Sequence, residues 1–323
     1  MTSIARRSLL LAAPGLMLSP RAFAAFPERP LRLVVPWNPG AAADIMSRAL
    51  AQAMSEALGN PVIVENRAGA NGSIGAQIVS NAVPDGYTLL VSNADTHAIN
   101  PFIFKKLAYD PVKGFEPISL FCHLPFALIS GPSKPEIVNL ESLVATAKAN
   151  PKTLTYASWG TGSTSHIGME IIARAVGIEM HHVPFSGQAP GLLAVQAGQV
   201  DTMLLTAGGA DTGSKGGRAR VLGLAAEKRL DLMPSASTLR EQGVDVVAGN
   251  WFAFHAPAGT PPDIVRRLSD LTAKVLQDEK VRETFRLQAA VAEASSPEAL
   301  GRFVVAEQDR WGGIVRSANI VVG

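Results

Sequence analysis

Short apolar runs alternate with stretches in which apolar residues recur every three or four positions. The first pattern is typical of buried β-strands and the second of amphipathic helices. From residue 31 the order is strand, helix, strand, helix, strand, and Gly59 and Pro61 end the first helix. The predicted strands are 31–35, 62–64 and 87–91, and the predicted helices are 44–58 and 73–82. This order predicts a parallel sheet with ligands beyond the carboxyl ends of the strands.

A second alternation of the same kind occupies the middle of the chain. Its predicted strands are 126–129, 154–157, 182–184 and 200–205, and its predicted helices are 140–149, 165–176 and 190–197. The later helices, from Pro262 and from Pro297, need a sheet to cover, so we expect them to return to the first unit. Segments 115–129 and 246–256 then cross between the units. We predict an α/β fold with two lobes, residues 25–122 plus 252–323 and residues 123–251.

Residues 1–24 have the pattern of an export signal. Arg6 and Arg7 precede an apolar stretch, and Ala22-Phe23-Ala24 is a small-x-small cleavage pattern. The paired arginines leave both the Sec and the twin-arginine routes open. Without this segment the formal charge changes from +2 to −1, which removes the case for a nucleic-acid partner.

The composition favours a well-packed protein, with 47% hydrophobic and 17% charged residues. No apolar run approaches the roughly 20 residues that a spanning helix needs, so we predict no membrane-spanning segment. Cys122 is the only cysteine, which excludes an intramolecular disulfide and a thiolate cluster. We expect it to be a buried small hydrophobic residue.

Two loops rich in small residues each leave a predicted strand and enter a predicted helix. They are NPGAAAD at 38–44 and GTGSTSH at 160–166. Helix N-termini after such turns present backbone N–H groups to anions, so we predict that both loops bind one negatively charged small molecule. The predicted contacts are Trp37, Asn38, Pro39, Gly40, Ala41, Ala42, Ala43 and Asp44 at the first loop, and Trp159, Gly160, Thr161, Gly162, Ser163, Thr164, Ser165 and His166 at the second.

Several of these residues also have a purely structural interpretation. Asp44 can cap its helix or contact an amino or hydroxyl group of the ligand. The hydroxyls at 163–165 can cap their helix, and His166 can hydrogen-bond within the first turn. Trp37 and Trp159 can wall the cleft or pack in the core. If both wall the cleft, a flat or aromatic carboxylate fits.

Two further places are predicted to contact the ligand. Asp95 and Thr96 follow the strand at 87–91, and Gly187, Gln188 and Ala189 precede a helix of the second unit. A solvated turn at the first place and a plain strand-to-helix turn at the second are the alternatives.

Enzyme and cofactor motifs are incomplete. Ser163, His166 and Asp201 are the residue types of a serine hydrolase triad, but the sequence has no G-x-S-x-G elbow. An exported serine hydrolase using Ser163 is therefore only the alternative function. GTGSTS lacks the third glycine of the dinucleotide fingerprint, and no P-loop motif occurs. His181 and His182 face opposite sides of a strand without a partner at metal-ligand spacing. We therefore expect no catalytic residue, no cofactor and no metal.

Nine strings run in order from Arg29 almost to the C-terminus: RPLRLVVPWNPG, VENRAGANGSIGA, PDGYTLL, NPFIFKKLAYDP, YASWGTGSTSHIG, HVPFSGQAP, GQVD, APAGTPPDIV and RWGGIVRSANI. In this order and spacing the chain resembles the Bug receptors, the extracytoplasmic solute receptors of tripartite tricarboxylate transporters. It departs from them at Gly40-Ala41, where the family usually has adjacent glycines, and this puts close backbone approach at Ala41 in doubt.

The resemblance implies a two-lobed periplasmic binding protein of the Venus-flytrap kind. Such a protein holds a small carboxylate in the cleft between its lobes, largely through backbone amides. The resemblance further implies a monomer in the periplasm that delivers its ligand to a membrane permease or reports it to a sensor.

Overall fold

The computed structural model describes residues 26–318, so the predicted export signal at 1–24 lies outside the described residues. The strands are β1 (Leu31–Val35), β2 (Val62–Asn66), β3 (Thr88–Asn93), β4 (Phe115–Ser130), β5 (Thr155–Ser158), β6 (His181–Pro184), β7 (Thr202–Thr206), β8 (Arg220–Ala225), β9 (Gly249–Pro257) and β10 (Val291–Ala292). The helices are α1 (Ala42–Leu58), α2 (Ser73–Ser80), α3 (Asn100–Ile103), α4 (Leu140–Ala149), α5 (Thr164–Val176), α6 (Gln188–Gln196), α7 (Ala207–Ser214), α8 (Pro262–Val275), α9 (Glu279–Leu287) and α10 (Pro297–Ala318).

The first lobe is built on a parallel sheet with helices on both faces. Strand β1 lies between β2 and β3 and is parallel to both. Leu33 and Met46 belong to one buried cluster, in which β1 packs against α1. Val34, the next residue of β1, packs on the other face with Ala76 and Val79 of α2. The predicted βαβαβ order is confirmed, because alternate residues of β1 are buried beneath different helices.

The second lobe repeats this arrangement. Strand β5 lies between β6 and β7 and is parallel to both. Tyr156 packs with Ile172 of α5 in one buried cluster. Ala157, the next residue of β5, packs with Val195 of α6 in another. Each lobe therefore has its own hydrophobic core on each face of its sheet.

Strands β4 and β9 join the lobes. The first part of β4 is antiparallel to β9, from Phe115 opposite Pro257 to Pro125 opposite Gly249. From Phe126 onward β4 is antiparallel to β7 and β8 of the second lobe. The prediction of two crossing segments, 115–129 and 246–256, is thus confirmed; β4 spans the first, and β9 begins at Gly249 within the second. The exact lobe boundaries, 25–122 plus 252–323 and 123–251, stay a prediction.

The C-terminal helices return to the first lobe, as expected. Leu268 of α8 and Phe285 of α9 lie in the same buried cluster as α1. Trp311 of α10 packs with Trp251 of β9 and Ile167 of α5. Helix α10 therefore contacts both lobes next to the crossing strands. Of the helices within 26–318, none has the length and apolarity needed to cross a bilayer. Cys122 is buried in the first lobe.

A pair of buried histidines lies where β3 meets β9. The rings of His97 and His255 are 4.3 Å apart between centroids, and His255 Nδ1 lies 2.7 Å from Ser92 Oγ. Burial lowers the pKa of His255 to about 3 and also places the pKa of His97 well below its usual value. Both rings are therefore neutral in the folded protein at neutral pH.

Acidification should destabilise the fold through His255. Its pKa rises from about 3 in the folded protein to about 6.5 in the unfolded chain. Between these values the unfolded chain binds a proton that the folded protein does not, so the free energy of unfolding falls as pH drops. The expected loss is up to about 1.4 kcal/mol per pH unit.

The measurement is urea unfolding of the wild type and of His255→Asn at intervals from about pH 7 to pH 5. The variant lacks one titrating ring, so its free energy of unfolding should fall less steeply with pH, whatever its absolute stability. Equal slopes in the two proteins would contradict the assignment of a depressed pKa to His255.

Candidate functional site

A cavity of about 500 Å³ lies between the lobes. The loops after β1, β2, β5 and β6 contribute residues to its wall. They lie at the carboxyl ends of these parallel strands, where α/β sheets bind ligands. Thirteen of the residues predicted from the sequence line it: Trp37, Asn38, Pro39, Gly40, Ala41, Ala42, Ala43, Asp95, Trp159, Gly160, Gly187, Gln188 and Ala189. The assignment of ligand contacts to them stays a prediction.

A second depression, of about 700 Å³, lies on the second lobe alone. It is lined by Ser130 and by the exposed Arg218 and Arg220. Ser130 pairs with Thr202, the first residue of β7, so this depression lies at the amino ends of the parallel strands. We assign the functional site to the cavity between the lobes, because both lobes wall it and the strand carboxyl ends point to it.

Helix α1 begins at the cavity. Its N-cap residue is Ala41, and no side chain within residues 26–318 caps this end. Ala42 and Ala43, the first residues of the helix, line the cavity. The N–H groups of the first turn have no acceptor within their own helix. The N-terminus of α1 therefore offers backbone donors and a positive helix end to a ligand.

Asp44 lies outside the cavity wall, and its side chain forms hydrogen bonds within the first lobe. Its carboxylate accepts hydrogen bonds from Gly40 N at 2.9 Å, Asn66 Nδ2 at 2.9 Å and Arg48 Nε at 3.1 Å. Burial alone would raise the pKa of Asp44, but these hydrogen bonds, led by that from Arg48, lower it overall. The geometry supports the structural interpretation of Asp44.

Helix α6 begins at the same cavity from the second lobe. Its N-cap is Gly187, with φ of 129° and no capping side chain in the described part of the chain. Gln188 and Ala189 follow and line the cavity. A Cβ on Gly187 would lie 3.2 Å from Asn38 Nδ2, so glycine permits the close approach of the two loops. Asn38 Nδ2 donates to Ser186 O at 2.8 Å, and this hydrogen bond joins the lobes.

The N-terminus of α5 is already occupied. Ser163 Oγ accepts from His166 N at 3.3 Å as the N-cap. Thr164 N donates to Asp95 Oδ1 at 2.6 Å. The structure places Thr161, Gly162, Ser163, Thr164, Ser165 and His166 outside the cavity wall, so only Gly160 of this loop lines the cavity. The predicted ligand contacts of these six residues stay untested, while their hydrogen bonds support the capping interpretation.

Asp95 connects both lobes and a crossing strand. Its carboxylate has no exposed surface and accepts from Asn93 Nδ2 at 2.6 Å, Asn250 Nδ2 at 3.2 Å and Thr164 N at 2.6 Å. Burial raises the pKa of Asp95, and these donors oppose the shift. Thr96 lies outside the cavity wall, and its N–H donates to Asn93 Oδ1 at 3.0 Å.

The loop after β2 also lines the cavity and was not among the predicted contacts. Gly69, Ala70, Asn71 and Gly72 have φ values of 129°, 45°, 51° and 81°. Alanine rarely adopts this left-handed backbone, which asparagine tolerates better, and such strain is often found at binding sites. The signal was present in the sequence, because AGANG at 68–72 follows a parallel strand in the same way as the two predicted loops.

Aromatic side chains form much of the remaining wall. Trp37 packs edge to face on Phe252 of β9, and Trp159 packs edge to face on Phe126 of β4, with 5.4 Å between centroids in each pair. Phe185 also lines the cavity. Each tryptophan also packs against a hydrophobic core. Trp37 and Trp159 therefore line the cavity and contact the core at the same time.

The residues of the hydrolase alternative do not form a catalytic constellation. Ser163 Oγ donates to Gly160 O at 2.6 Å, and His166 Nδ1 accepts from Gly162 N at 3.0 Å. Asp201 accepts from Thr155 N at 2.8 Å, at the amino end of β5, whereas Ser163 follows the carboxyl end of that strand. No group of three or more His, Cys, Asp or Glu residues suited to a metal ion is present in the part of the chain that the structure describes.

Two α/β lobes, joined by two crossing strands over a cavity, define the class of periplasmic binding proteins. A sequence model of the tripartite tricarboxylate transporter family receptors, TctC, matches residues 46–320. The chain belongs to this family, and the predicted membership is confirmed.

The relatives support the same conclusion. BugT of Bordetella pertussis is 31% identical over 318 residues, which cover 96% of this chain and 97% of BugT. The structure of Rpa4515 from R. palustris, solved with adipate, is 30% identical with a TM-score of 0.87 and covers 92% of this chain and 99% of its own. MatC from Rhodopseudomonas palustris, solved with bound malate, is 32% identical with a TM-score of 0.83 and covers 90% of this chain and 100% of its own.

The capping role of Ser163 can be measured directly. Ser163→Ala removes the N-cap acceptor and should lower the free energy of unfolding by about 1 kcal/mol. Ser163→Gly should cost only a few tenths of a kcal/mol, because glycine is tolerated at N-caps. Urea unfolding checks both values. An alanine variant as stable as the wild type would show that Ser163 does not support α5.

Proposed function

We propose that this protein captures a small carboxylate in the cavity between its lobes. The observation that carries the proposal is that one helix of each lobe, α1 and α6, begins uncapped at the same cavity. A carboxylate there accepts hydrogen bonds from both lobes at once, so it stabilises the arrangement in which the lobes meet. The protein acts as a receptor and catalyses no reaction.

The energies of the contacts are sufficient for this role. Removing a carboxylate from water costs several kcal/mol. Each charge-assisted hydrogen bond returns about 1.5–3 kcal/mol, and each helix N-terminus adds about 0.3–2 kcal/mol. Two N-termini with two or three amides therefore offset the cost. Asn38 also lines the cavity, and its side-chain amide donates one of its two N–H groups to Ser186 O.

The relatives support the class of ligand. Rpa4515 was solved with adipate and MatC with malate, and both are carboxylates. The family description places such receptors with tripartite tricarboxylate transporters. We therefore propose that the protein works in the periplasm as a monomer, after export by the Sec or the twin-arginine route, and delivers its ligand to a membrane permease or reports it to a sensor.

The backbone donor of α1 can be removed without disturbing the helix. Ala42 is the first helical residue, a position at which proline is well tolerated because that N–H has no intrahelical acceptor. Ala41 has φ of −70° and ψ of 158°, which suits a residue before proline. Ala42→Pro should therefore weaken carboxylate binding by about 10- to 100-fold, the equivalent of one charge-assisted hydrogen bond.

Ala42→Ser is the matched control, because it alters the side chain and keeps the N–H. Isothermal titration with the acid that raises the melting temperature most gives the affinities, and urea unfolding without ligand gives the stabilities. Unchanged affinity in a folded Ala42→Pro variant would contradict the role of the α1 amide.

Thermal unfolding with a panel of mono-, di- and tricarboxylates and aromatic acids tests the function itself. A ligand at 100 times its dissociation constant adds about 2.7 kcal/mol, which raises the melting temperature by roughly 4–5 °C at this size. A panel without any shift would contradict the proposal. Turnover of ester or amide substrates that disappears in Ser163→Ala would support the hydrolase alternative.

A further inference from the structure

Buried contacts between the lobes lie beside the crossing strands. Asp95, which follows β3, accepts hydrogen bonds from Asn250 of β9 and from Thr164 N of α5. Trp311 of α10 and Ile167 of α5 belong to one buried cluster in the same region. A rotation of one lobe about the crossing strands displaces these contacts least, because they lie close to its axis.

A hydrogen bond between Asn38 and Ser186 joins the lobes away from these strands. Asn38 Nδ2, in the loop after β1, donates to Ser186 O, in the loop after β6, at 2.8 Å. In the sheet, β1 is two strands from β9, and β6 is three strands from β4. These two strands therefore lie about 10 and 14 Å from the crossing strands. Both residues are exposed and line the cavity, so the hydrogen bond lies at the rim of the cavity. We call it the latch.

Both loops are fixed to their own lobes next to the latch. In the first lobe, Trp37 O accepts from Asn66 Nδ2 at 3.0 Å. In the second lobe, Phe185 N donates to Ser158 O at 3.0 Å. A rotation of one lobe therefore moves the donor and the acceptor of the latch apart, because neither loop is free to follow the other lobe.

Building on the proposed function, we infer that the latch closes the rim of the cavity and slows the release of the bound acid. Its two residues precede the two uncapped helices, because α1 begins at Ala42 and α6 begins at Gln188. An acid that accepts hydrogen bonds from both N-termini leaves only when the lobes separate, and the latch has to break for this. Asn38 is thus a positioning residue, which acts on the ligand by holding the lobes together.

Gly187 allows the latch to form. Its φ of 129° favours glycine, and a Cβ at this position would lie 3.2 Å from Asn38 Nδ2. This is closer than an ordinary van der Waals contact, so a methyl group there would push the amide away from Ser186 O. Gly187→Ala therefore weakens the latch from the second lobe and leaves Asn38 itself unchanged.

Asn38→Ala tests the latch by removing its donor. Stopped-flow binding of adipate, malate or the acid of the wider panel that binds most tightly gives the rate constants. The dissociation rate constant should rise by about 3- to 10-fold, the effect of one neutral hydrogen bond. The association rate constant should change by less than about 2-fold, because the encounter precedes closure of the rim.

Asn60→Ala is the matched control. Asn60 Nδ2 also donates to a backbone oxygen, that of Pro27 at 2.9 Å, but this hydrogen bond lies within the first lobe and outside the cavity wall. Its loss should leave both rate constants unchanged. Acceleration of release as large as that in Asn38→Ala would contradict a role specific to the latch.

A double-mutant cycle tests the same contact from both lobes. Gly187→Ala should accelerate release in the wild-type background and should do so less in the Asn38→Ala background, where the amide is absent. Any change in the backbone at Gly187 affects both backgrounds and cancels in the comparison. Equal effects in the two backgrounds would contradict the latch.

Distances between spin labels distinguish a latch from a direct contact between Asn38 and the ligand. Glu56→Cys in α1 and Lys148→Cys in α4 place labels at exposed positions of different lobes, while the native Cys122 is buried. In the protein without ligand, Asn38→Ala should lower the ratio of short to long label separations by about 3- to 10-fold. Asn60→Ala should leave this ratio unchanged.

The outcomes separate the inference from the proposed function. Unchanged dissociation in a folded Asn38→Ala variant overturns the latch and leaves the carboxylate receptor intact. Faster dissociation with unchanged label separations assigns Asn38 to direct contact with the acid and also overturns the latch. A wild type that binds no carboxylate of the panel overturns the proposed function, and the control of release with it, while the label separations still show whether Asn38 holds the lobes together.

Discussion

The buried carboxylate of Asp95 is the interaction on which the arrangement of the two lobes depends. A carboxylate without exposed surface needs donors, and Asp95 takes them from the end of β3, from β9 and from the N-terminus of α5. These elements belong to the first lobe, a crossing strand and the second lobe. Removing any donor would leave an incompletely satisfied buried acid, which typically costs 1–3 kcal/mol or more. The position of α5 relative to the first lobe is therefore closely determined.

This interaction also makes the N-terminus of α5 different from those of α1 and α6. Asp95 occupies the N-terminus of α5, whereas the N-termini of α1 and α6 are uncapped and lie at the cavity. Asn38, which donates to Ser186 O across the lobes, lies in the loop that leads to α1. The left-handed loop at 69–72 completes the wall beside it. The loop before α1 thus both contacts the second lobe and forms part of the cavity wall.

Much of the fold could be predicted from the sequence, because its signals are local. The strand at 31–35 was predicted with the bounds that β1 has, and the helix at 44–58 differs from α1 only by two residues at its start. The long crossing strand β4 could be predicted because the chain has to leave one lobe and return. The family could be predicted because nine strings keep their order over the mature chain.

The candidate site was harder to predict from local sequence patterns than the fold. A serine N-cap before α5 is visible locally, but its second acceptor, Asp95, lies 69 residues earlier in the chain. Phe126 and Phe252 lie on crossing strands, so their positions beside Trp159 and Trp37 follow only from the meeting of the lobes. Hydrophobic periodicity indicates which residues are buried. It does not indicate which buried residues from distant segments contact one another.

A crystal structure of the wild type with the carboxylic acid that raises its melting temperature most would show how the ligand is held. We expect the carboxylate within about 3 Å of backbone N–H groups in the first turns of α1 and α6. We also expect the rest of the acid beside Trp37, Trp159 and Phe185, with Thr164 N still donating to Asp95. A carboxylate bound to Thr164 N with Asp95 displaced, or an acid bound outside the cavity between the lobes, would contradict this arrangement.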